Sequence, residues 1–534
     1  MKTTFVSWEQ WKTQTVFAVS LVIVLSLVGL GVVNPELLDT YSSYVHEYII
    51  ESFGWCYLIS AFVFLGFNIL FAFSKYGDIR LGKDNEKPQY SYFGWFSMLF
   101  AAGMGIGMIF WGVAEPMSHY LNPPEYLAGQ SDGAAKFAMR YSFFHWGLHP
   151  WAVYITMSLA IAYFSFRRGM PPLISSCFYP LLGERIYGIF GSSIDILAVF
   201  ATVFGIVTSL GLGAMQITTG LGEVFHFAPT FQAQVVVIAV VTVLFMISSM
   251  TGLDKGIQIL SKTNILLAII LLGFMLMVGP TTYTLNVFTN TIADYLSGLF
   301  NMSLSTNPFQ GYAWTQSWTI FYWAWWIAWS PFVGLFVASI SRGRTIREFI
   351  LGALLVPTLL TFLWFSVFGG AAFYLELREG ADIAQAVAED VSVGLFRLYA
   401  FYPFSGVLTM ITVLLLGVFF VTSADSATFV LSMMTSQGNL YPAAAKKIIW
   451  GVTVSSTAII LLYYGGLEAL QKMAISAALP FSLIMLFLCR SLVKGLRYEF
   501  KHREEEQRTT GIPAKPVVSS GAGGKTQESE VLPD

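Results

Sequence analysis

Ala101-Ala102-Gly103-Met104-Gly105-Ile106-Gly107 places three glycines at alternate positions inside an apolar run that extends from residue 92 to 117. Each glycine costs a helix about 1 kcal/mol relative to alanine, so this segment invites unwinding. Small residues also let two helices approach closely, and the segment alone leaves both readings open. Its surroundings decide the setting. Of 534 residues, 55% are hydrophobic, 16% aromatic and 11% charged, and the mean hydropathy is +0.65. Soluble proteins carry about 25% charged residues. Length alone would suggest roughly three soluble domains, but the composition defines an integral membrane protein. Disorder over most of the chain is excluded, because it needs low hydrophobicity. With 29 Lys and Arg against 31 Asp and Glu, a net charge of −2 and no basic patch, no nucleic-acid partner is expected. Cys56, Cys177 and Cys489 stand alone, without the spacing of a disulfide framework or metal site.

A membrane helix needs about 20 mostly apolar residues. That window predicts twelve spans, near 14–34, 52–74, 92–117, 138–164, 189–220, 231–250, 258–280, 314–340, 348–374, 402–434, 447–465 and 469–490. The runs are continuous rather than alternating, so they are helices and not barrel strands. The first is too long for a signal peptide and lacks a small-residue cleavage site. Threading twelve spans puts 24 of the 29 basic residues on the side of both termini, leaving Lys136, Arg140, Arg378, Arg397 and Lys472 on the other. Positive residues stay inside, so both ends are expected in the cytoplasm. Residues 281–313 hold no Lys or Arg and mix polar with apolar positions, as an interfacial amphipathic helix on the outer face does. Lys494–Arg508 is a mixed-charge segment expected to form a short helix, and from about Thr509 the tail turns polar and reads as disordered. The expected organisation is thus 1–91 (N-terminal segment and two spans), 92–280 (five spans), 281–313 (amphipathic helix), 314–490 (five spans) and 491–534 (cytoplasmic tail).

Function is expected where the bilayer's rules are broken. The glycine segment is the first such place: unwinding would free carbonyls for a cation and N–H groups for an anion. The eighth span is the second. At 100° per residue, Tyr322, Trp325, Trp326, Trp329, Phe332 and Phe336 fall within about 120° of arc, with Trp323 off the stripe. An interfacial belt would sit at a helix end, but this stripe runs through the middle and past Pro331. The fourth span carries Phe144, Trp146, Trp151 and Tyr154. Two aromatic walls suggest a cage for a cation without a fixed counter-charge. The third place is Phe419-Phe-Val-Thr422-Ser423-Ala-Asp425-Ser426, whose hydroxyls could be hard oxygen ligands for a small cation or simple interhelical hydrogen bonds. Thr202, Thr208 and Ser209 offer a weaker version. Glu115-Pro116 reads as a helix-end feature, and His145 and His149 as structural.

At these residues the chain resembles the betaine/choline/carnitine transporter family. The markers are Gly103-Met-Gly-Ile-Gly107, Trp111-Gly-Val-Ala-Glu-Pro116, His145-Trp-Gly-Leu-His149, the Trp-rich eighth span followed by Ser341-Arg-Gly-Arg344, and Thr422-Ser-Ala-Asp-Ser426. The resemblance covers nearly all of residues 10–495. It implies an all-α fold with a LeuT-type core of two inverted five-helix repeats, preceded by two extra helices. It also implies a homotrimer in the lipid of a bacterial plasma membrane, assembled partly through 281–313, that moves quaternary-ammonium compounds by alternating access. Carried over by position, the aromatic box falls on Trp146, Trp151, Tyr154 and Trp326, with Trp325, Trp329 and Phe332 along the pathway. The substrate's carboxylate meets the segment holding Gly103, Met104, Gly105 and Gly107. A sodium ion falls on carbonyls of Ala101, Met104 and Phe419 and the hydroxyls of Thr422 and Ser423. Some members carry a second sodium near Phe332 and Thr202, against which Ile206 stands here one turn on. Choline carriers of the family place an acidic residue where Gly107 stands.

The expected function is sodium-coupled import of a glycine-betaine-type zwitterion, with no other cofactor. The alternatives are proton-coupled choline uptake, carnitine exchange and dimethylsulfoniopropionate uptake. A channel would want a wetted polar pore, and an enzyme would want a convergent acid–base or metal set; neither is visible.

Overall fold

The computed structural model describes residues 8–510 apart from Met104, Gly252, Leu253 and Gln310, with side chains for 15–99, 105–250, 262–309 and 311–501. Among the described residues the only strand-like pairing is one isolated bridge, Arg80 to Thr345. That is what lipid demands: with no water to satisfy backbone groups, each segment must bond to itself.

The principal helices are α1 (Trp8–Val33), α2 (Pro35–Phe73), α3 (Tyr92–Gly103), α4 (Gly105–Leu121), α5 (Asp132–Trp146), α6 (Leu148–Ala162), α7 (Ile189–Phe225), α8 (Phe231–Thr251), α9 (Asp254–Val278), α10 (Thr281–Leu304), α11 (Phe321–Ile340), α12 (Ile346–Glu379), α13 (Ser405–Met434) and α14 (Ala444–Thr510). Local chemistry sets several boundaries. Asn34 accepts from the Leu37 N–H and Pro35 opens the first turn of α2, and the Thr345 hydroxyl accepts from Glu348 N–H at the start of α12. Such caps satisfy N–H groups that have no partner within the helix.

Among the described residues eight helices are long and apolar enough to cross a membrane, and the bent pair α9–α10 makes a ninth candidate. The difference from twelve expected spans lies in how helices break and merge. Over the expected third span helix is described on both sides of Met104, as α3 and α4, and Met104 itself lies outside the described residues. The expected fourth span is two helices, α5 and α6, parted at Gly147. Each piece is too short to count alone. Conversely, the expected eleventh and twelfth spans run together as α14 through Gly466, whose φ of 53° and ψ of −130° only glycine adopts readily. Lys494–Arg508 is not a separate short helix but the continuation of α14. The disorder expected from about 509 falls on 511–534, outside the described residues. α10 leaves α9 at 110° and packs on α12 and α5.

Burial orders the helices from centre to edge. The most apolar window of the α11 segment is 89% buried and that of α7 is 83%, against 22% for α1 and for α8. α11 packs against α6, α7 and α14, so the tryptophan-rich helix is the hub of the molecule. α1 and α8 instead show Val22, Leu25, Val236, Val243 and other apolar side chains on their outer faces, as lipid contact requires. The three cysteines are buried and unpaired.

Candidate substrate site

The aromatic stripe of α11 and the aromatics flanking the α5–α6 break meet in the core. Trp146 lies edge-on to Trp326, with centroids 4.9 Å apart and planes at 77°, and to Trp325 at 6.2 Å and 89°. Trp325 and Trp326 stack on each other at 4.8 Å and 15°. Tyr154 meets Trp326 at 6.1 Å and Trp329 at 6.5 Å, and Trp151 meets Tyr154 at 6.0 Å. Phe332 packs on Trp329 at 5.6 Å. All six tryptophan and tyrosine rings are at most 5% exposed. Reading 138–164 as one span counts Trp146, Trp151 and Tyr154 along one continuous helix. The break at Gly147 interrupts that count, yet Trp146 and Tyr154 still converge on Trp326 from opposite sides of the break. Trp323 points elsewhere and stacks on His149 at 5.1 Å and edge-on to Phe144 at 5.0 Å.

The glycine segment lies directly against this cluster. A Cβ on Gly107 would stand 2.5 Å from Trp325 and 2.9 Å from Trp146, so only a hydrogen fits there. At Gly105 the neighbour is the Phe419 ring of α13, 2.9 Å from a hypothetical Cβ. The glycine segment thus touches both the aromatic cluster and the hydroxyl-bearing segment of α13. The Thr422 hydroxyl donates to the carbonyls of Val418 at 2.9 Å and Phe419 at 3.2 Å, leaving its lone pairs to act as an acceptor. Ser423 is half-buried beside it. Ala101 and Gly103 lie in α3 without described side chains, and Met104 is outside the described residues. Asp425, one turn beyond, accepts from Ser248 at 2.8 Å, a structural hydrogen bond. Thr202, Thr208 and Ser209 hydrogen-bond back to carbonyls four residues earlier in α7, and Ile206 is buried among them.

One residue has a place the sequence did not disclose. Glu115 is not a helix-end feature: α4 continues to Leu121 with Pro116 inside it, and the carboxylate is fully buried. Its Oε2 accepts from Trp146 Nε1 at 2.7 Å and from the Tyr322 hydroxyl at 2.5 Å. Its Oε1 lies 2.7 Å from His145 Nδ1 and 3.2 Å from His119 Nε2. His145 continues to Thr319 at 2.9 Å, and its backbone carbonyl accepts from Trp326 Nε1 at 3.0 Å. His145 therefore does more than fill space. Glu115, His119 and His145 bring ligand-type atoms within 4.8 Å of one another, and in the structure both histidines lie at hydrogen-bond distance from the carboxylate. His149 Nε2 lies 2.9 Å from the Ser303 hydroxyl. The sequence signals for Glu115 were a lone carboxylate in an apolar run and its place in the marker Trp111-Gly-Val-Ala-Glu-Pro116.

A helical membrane protein in which a broken helix, α5–α6, meets a tryptophan-rich helix in a buried aromatic cluster is a transporter-type architecture. The chain belongs to the BCCT, betaine/carnitine/choline family of transporters, whose family model matches residues 15–501. It is a multi-pass membrane protein and not an enzyme. It is 48% identical over 496 residues to the glycine betaine transporter OpuD of Bacillus subtilis, covering 92% of this chain and 96% of that one. It is 43% identical to an ectoine/hydroxyectoine transporter of Virgibacillus pantothenticus, with 92% and 98% covered. It is 41% identical to a high-affinity choline transport protein of Escherichia coli, with 87% and 69% covered.

Proposed function

We propose that the protein imports a quaternary-ammonium zwitterion of the glycine betaine type, coupled to sodium, across a bacterial plasma membrane. The observation that carries this reading is the convergence of Trp146, Tyr154, Trp325 and Trp326 from three helices into one cluster, with Trp146 and Trp325 lying against Gly107 of the glycine segment. A trimethylammonium group has no N–H to donate, so aromatic faces are what select it. Three polar atoms in the same cluster favour a zwitterion over free choline. Trp151 Nε1, Tyr154 Oη and Trp329 Nε1 are buried without hydrogen-bond partners, and buried donors want an acceptor. A carboxylate is a far stronger acceptor than choline's hydroxyl.

Sodium would sit on carbonyls of Ala101, Met104 and Phe419 with the hydroxyls of Thr422 and Ser423, where α13 abuts the glycine segment through Phe419 and Gly105. Such an ion would tie the segment to α13 and favour the substrate-binding shape. A second sodium near Thr202 and Phe332 has less support, since Thr202 is occupied with Ala198 and Ile206 is apolar. In this reading twelve spans form a LeuT-type core of two inverted five-helix repeats after two extra helices. Both termini are cytoplasmic and the assembly is a homotrimer, with α10 at its 110° angle lying along the outer surface. The ectoine and choline relatives make substrate class the first question. Uptake into liposomes of glycine betaine, choline, carnitine, dimethylsulfoniopropionate and ectoine, with sodium or potassium outside, decides it. Glycine betaine driven by sodium is expected. Uptake of choline or ectoine with glycine betaine ignored, or uptake indifferent to the ion, would refute the reading.

A further inference from the structure

Two aromatic walls look like a cage that attracts a cation by ring quadrupoles alone. The structure holds a carboxylate directly behind those walls. Glu115 Oε2 receives the indole N–H of Trp146 and the hydroxyl of Tyr322. Trp146 stands edge-on to Trp326, and Tyr322 stacks behind Trp326 at 6.0 Å and 24°. Trp146 Nε1 can only donate, and a hydroxyl on the same oxygen donates with it. On Oε1, His145 is set as a donor through Nδ1 because its Nε2 faces the Thr319 hydroxyl, which can supply the proton for that contact. His119 Nε2 completes the set. An ionised carboxylate is acceptor-only, and four donors on two oxygens are what it needs away from water.

We propose that Glu115 is the counter-charge of the aromatic box: a positioning residue that holds Trp146 and Tyr322 by their polar edges and makes the cluster prefer a permanent cation over a neutral group of the same shape. Two effects run together. The N–H and O–H bonds fix the rings in their edge-on and stacked arrangement. The anion at the positive edge of each ring adds to the negative potential of its face, where the ammonium sits. The carboxylate never touches the substrate, because the rings lie between them. The box thereby gains charge selectivity without offering an anion that would repel the substrate's own carboxylate at contact distance.

The inference rests on the reading that the substrate carries a quaternary ammonium group, and its test separates the two. Binding of glycine betaine and of 3,3-dimethylbutanoate, which replaces the cationic nitrogen with carbon, is measured by tryptophan fluorescence on the purified full-length protein and its Glu115→Gln variant. The wild type is expected to prefer the cation. Glu115→Gln is expected to weaken betaine binding by about tenfold or more while changing the carbon analogue less than about twofold. Equal weakening of both ligands would leave Glu115 a merely structural residue and overturn the proposal, as would no change in either. A wild type that binds both ligands alike would instead overturn the quaternary-ammonium reading. Should Glu115→Gln fail to fold, Tyr322→Phe decides. It keeps the ring stacked on His145 and Trp326 and removes one donor to Oε2. A preference reduced by about twofold or more is expected, and an unchanged preference overturns the proposal.

Discussion

At the scale of single residues, two tryptophans three positions apart on α11 have opposite expectations. Trp326 faces Trp146 and Tyr154, while Trp323 faces His149 and Phe144. A desolvated cation–π contact is worth roughly 0.5–2 kcal/mol, so Trp326→Leu should lower betaine affinity about tenfold or more in a binding titration, with Trp326→Phe losing less. Trp323→Leu removes a buried ring of similar size and should lower thermal stability while leaving the affinity of the folded protein little changed. Equal affinity losses at the two positions would remove the box from the mechanism. Gly107 is governed by space as well as charge. Its hydrogen faces Trp325 and Trp146 too closely for any side chain, so Gly107→Ala and Gly107→Asp should both reduce betaine uptake by displacing the indoles. Only the aspartate adds an anion at the cage mouth, so choline uptake appearing in Gly107→Asp but not in Gly107→Ala would mark a charge effect. The tryptophans were legible from helical periodicity because their spacing on one helix is local information. Glu115 was not, because its partners Trp146 and Tyr322 lie 31 and 207 residues away and nothing in the sequence near position 115 signals them.

At the scale of elements, the helix breaks carry the interest. The sequence reads 138–164 as a single span because hydropathy is blind to backbone conformation, whereas the structure parts it at Gly147. A glycine such as Gly147 is equally at home in a packed helix and at a break, and only the packing of Phe143 and Phe362 around it distinguishes the two. The break between α5 and α6 lets Trp146 and Tyr154 reach Trp326 together. On α13 Thr422 and Ser423 were legible as a polar pair, since hydroxyls stand out in an apolar run. The Phe419 ring over Gly105 was beyond its reach, since residues from distant elements meet only through folding. If sodium uses this junction, loss of one hard oxygen should weaken the ion site by about 1–3 kcal/mol, the cost of an unmet polar partner. Ser423→Ala should therefore raise the sodium concentration needed for half-maximal uptake several-fold, while betaine affinity at saturating sodium changes little. An unaltered sodium dependence in Ser423→Ala would take that hydroxyl out of the site.

At the scale of the whole molecule, the ion pairs sort by the face that the charge pattern of the sequence assigns. Arg342 pairs with Glu86 at 2.5 Å, Arg347 with Asp78 at 2.5 Å, and Arg167 with Asp84 and Glu499. All of these residues belong to segments that the positive-inside reading assigns to the cytoplasm. Backbone bonds between Leu81, Gly343 and Arg344 join two of the same loops. Lys472 pairs with Asp39 and Glu468, and Lys136 lies 4.0 Å from Asp294, all on segments assigned to the outside. None of these pairs joins the two assigned faces. A threading wrong by one span would bring residues assigned to opposite faces together in some of them. Lys83, Arg342 and Asn301 are exposed, so single cysteines there report topology without disturbing the core, provided the three buried native cysteines stay silent. In intact cells an impermeant thiol reagent should label Asn301→Cys and spare Lys83→Cys and Arg342→Cys until the membrane is opened. Labelling of position 301 only from the cytoplasmic side would require an odd number of spans between the N-terminus and α10 to be redrawn. The twelve-span reading would fall with it, because a cytoplasmic N-terminus followed by two spans and a five-span half places the connecting helix outside.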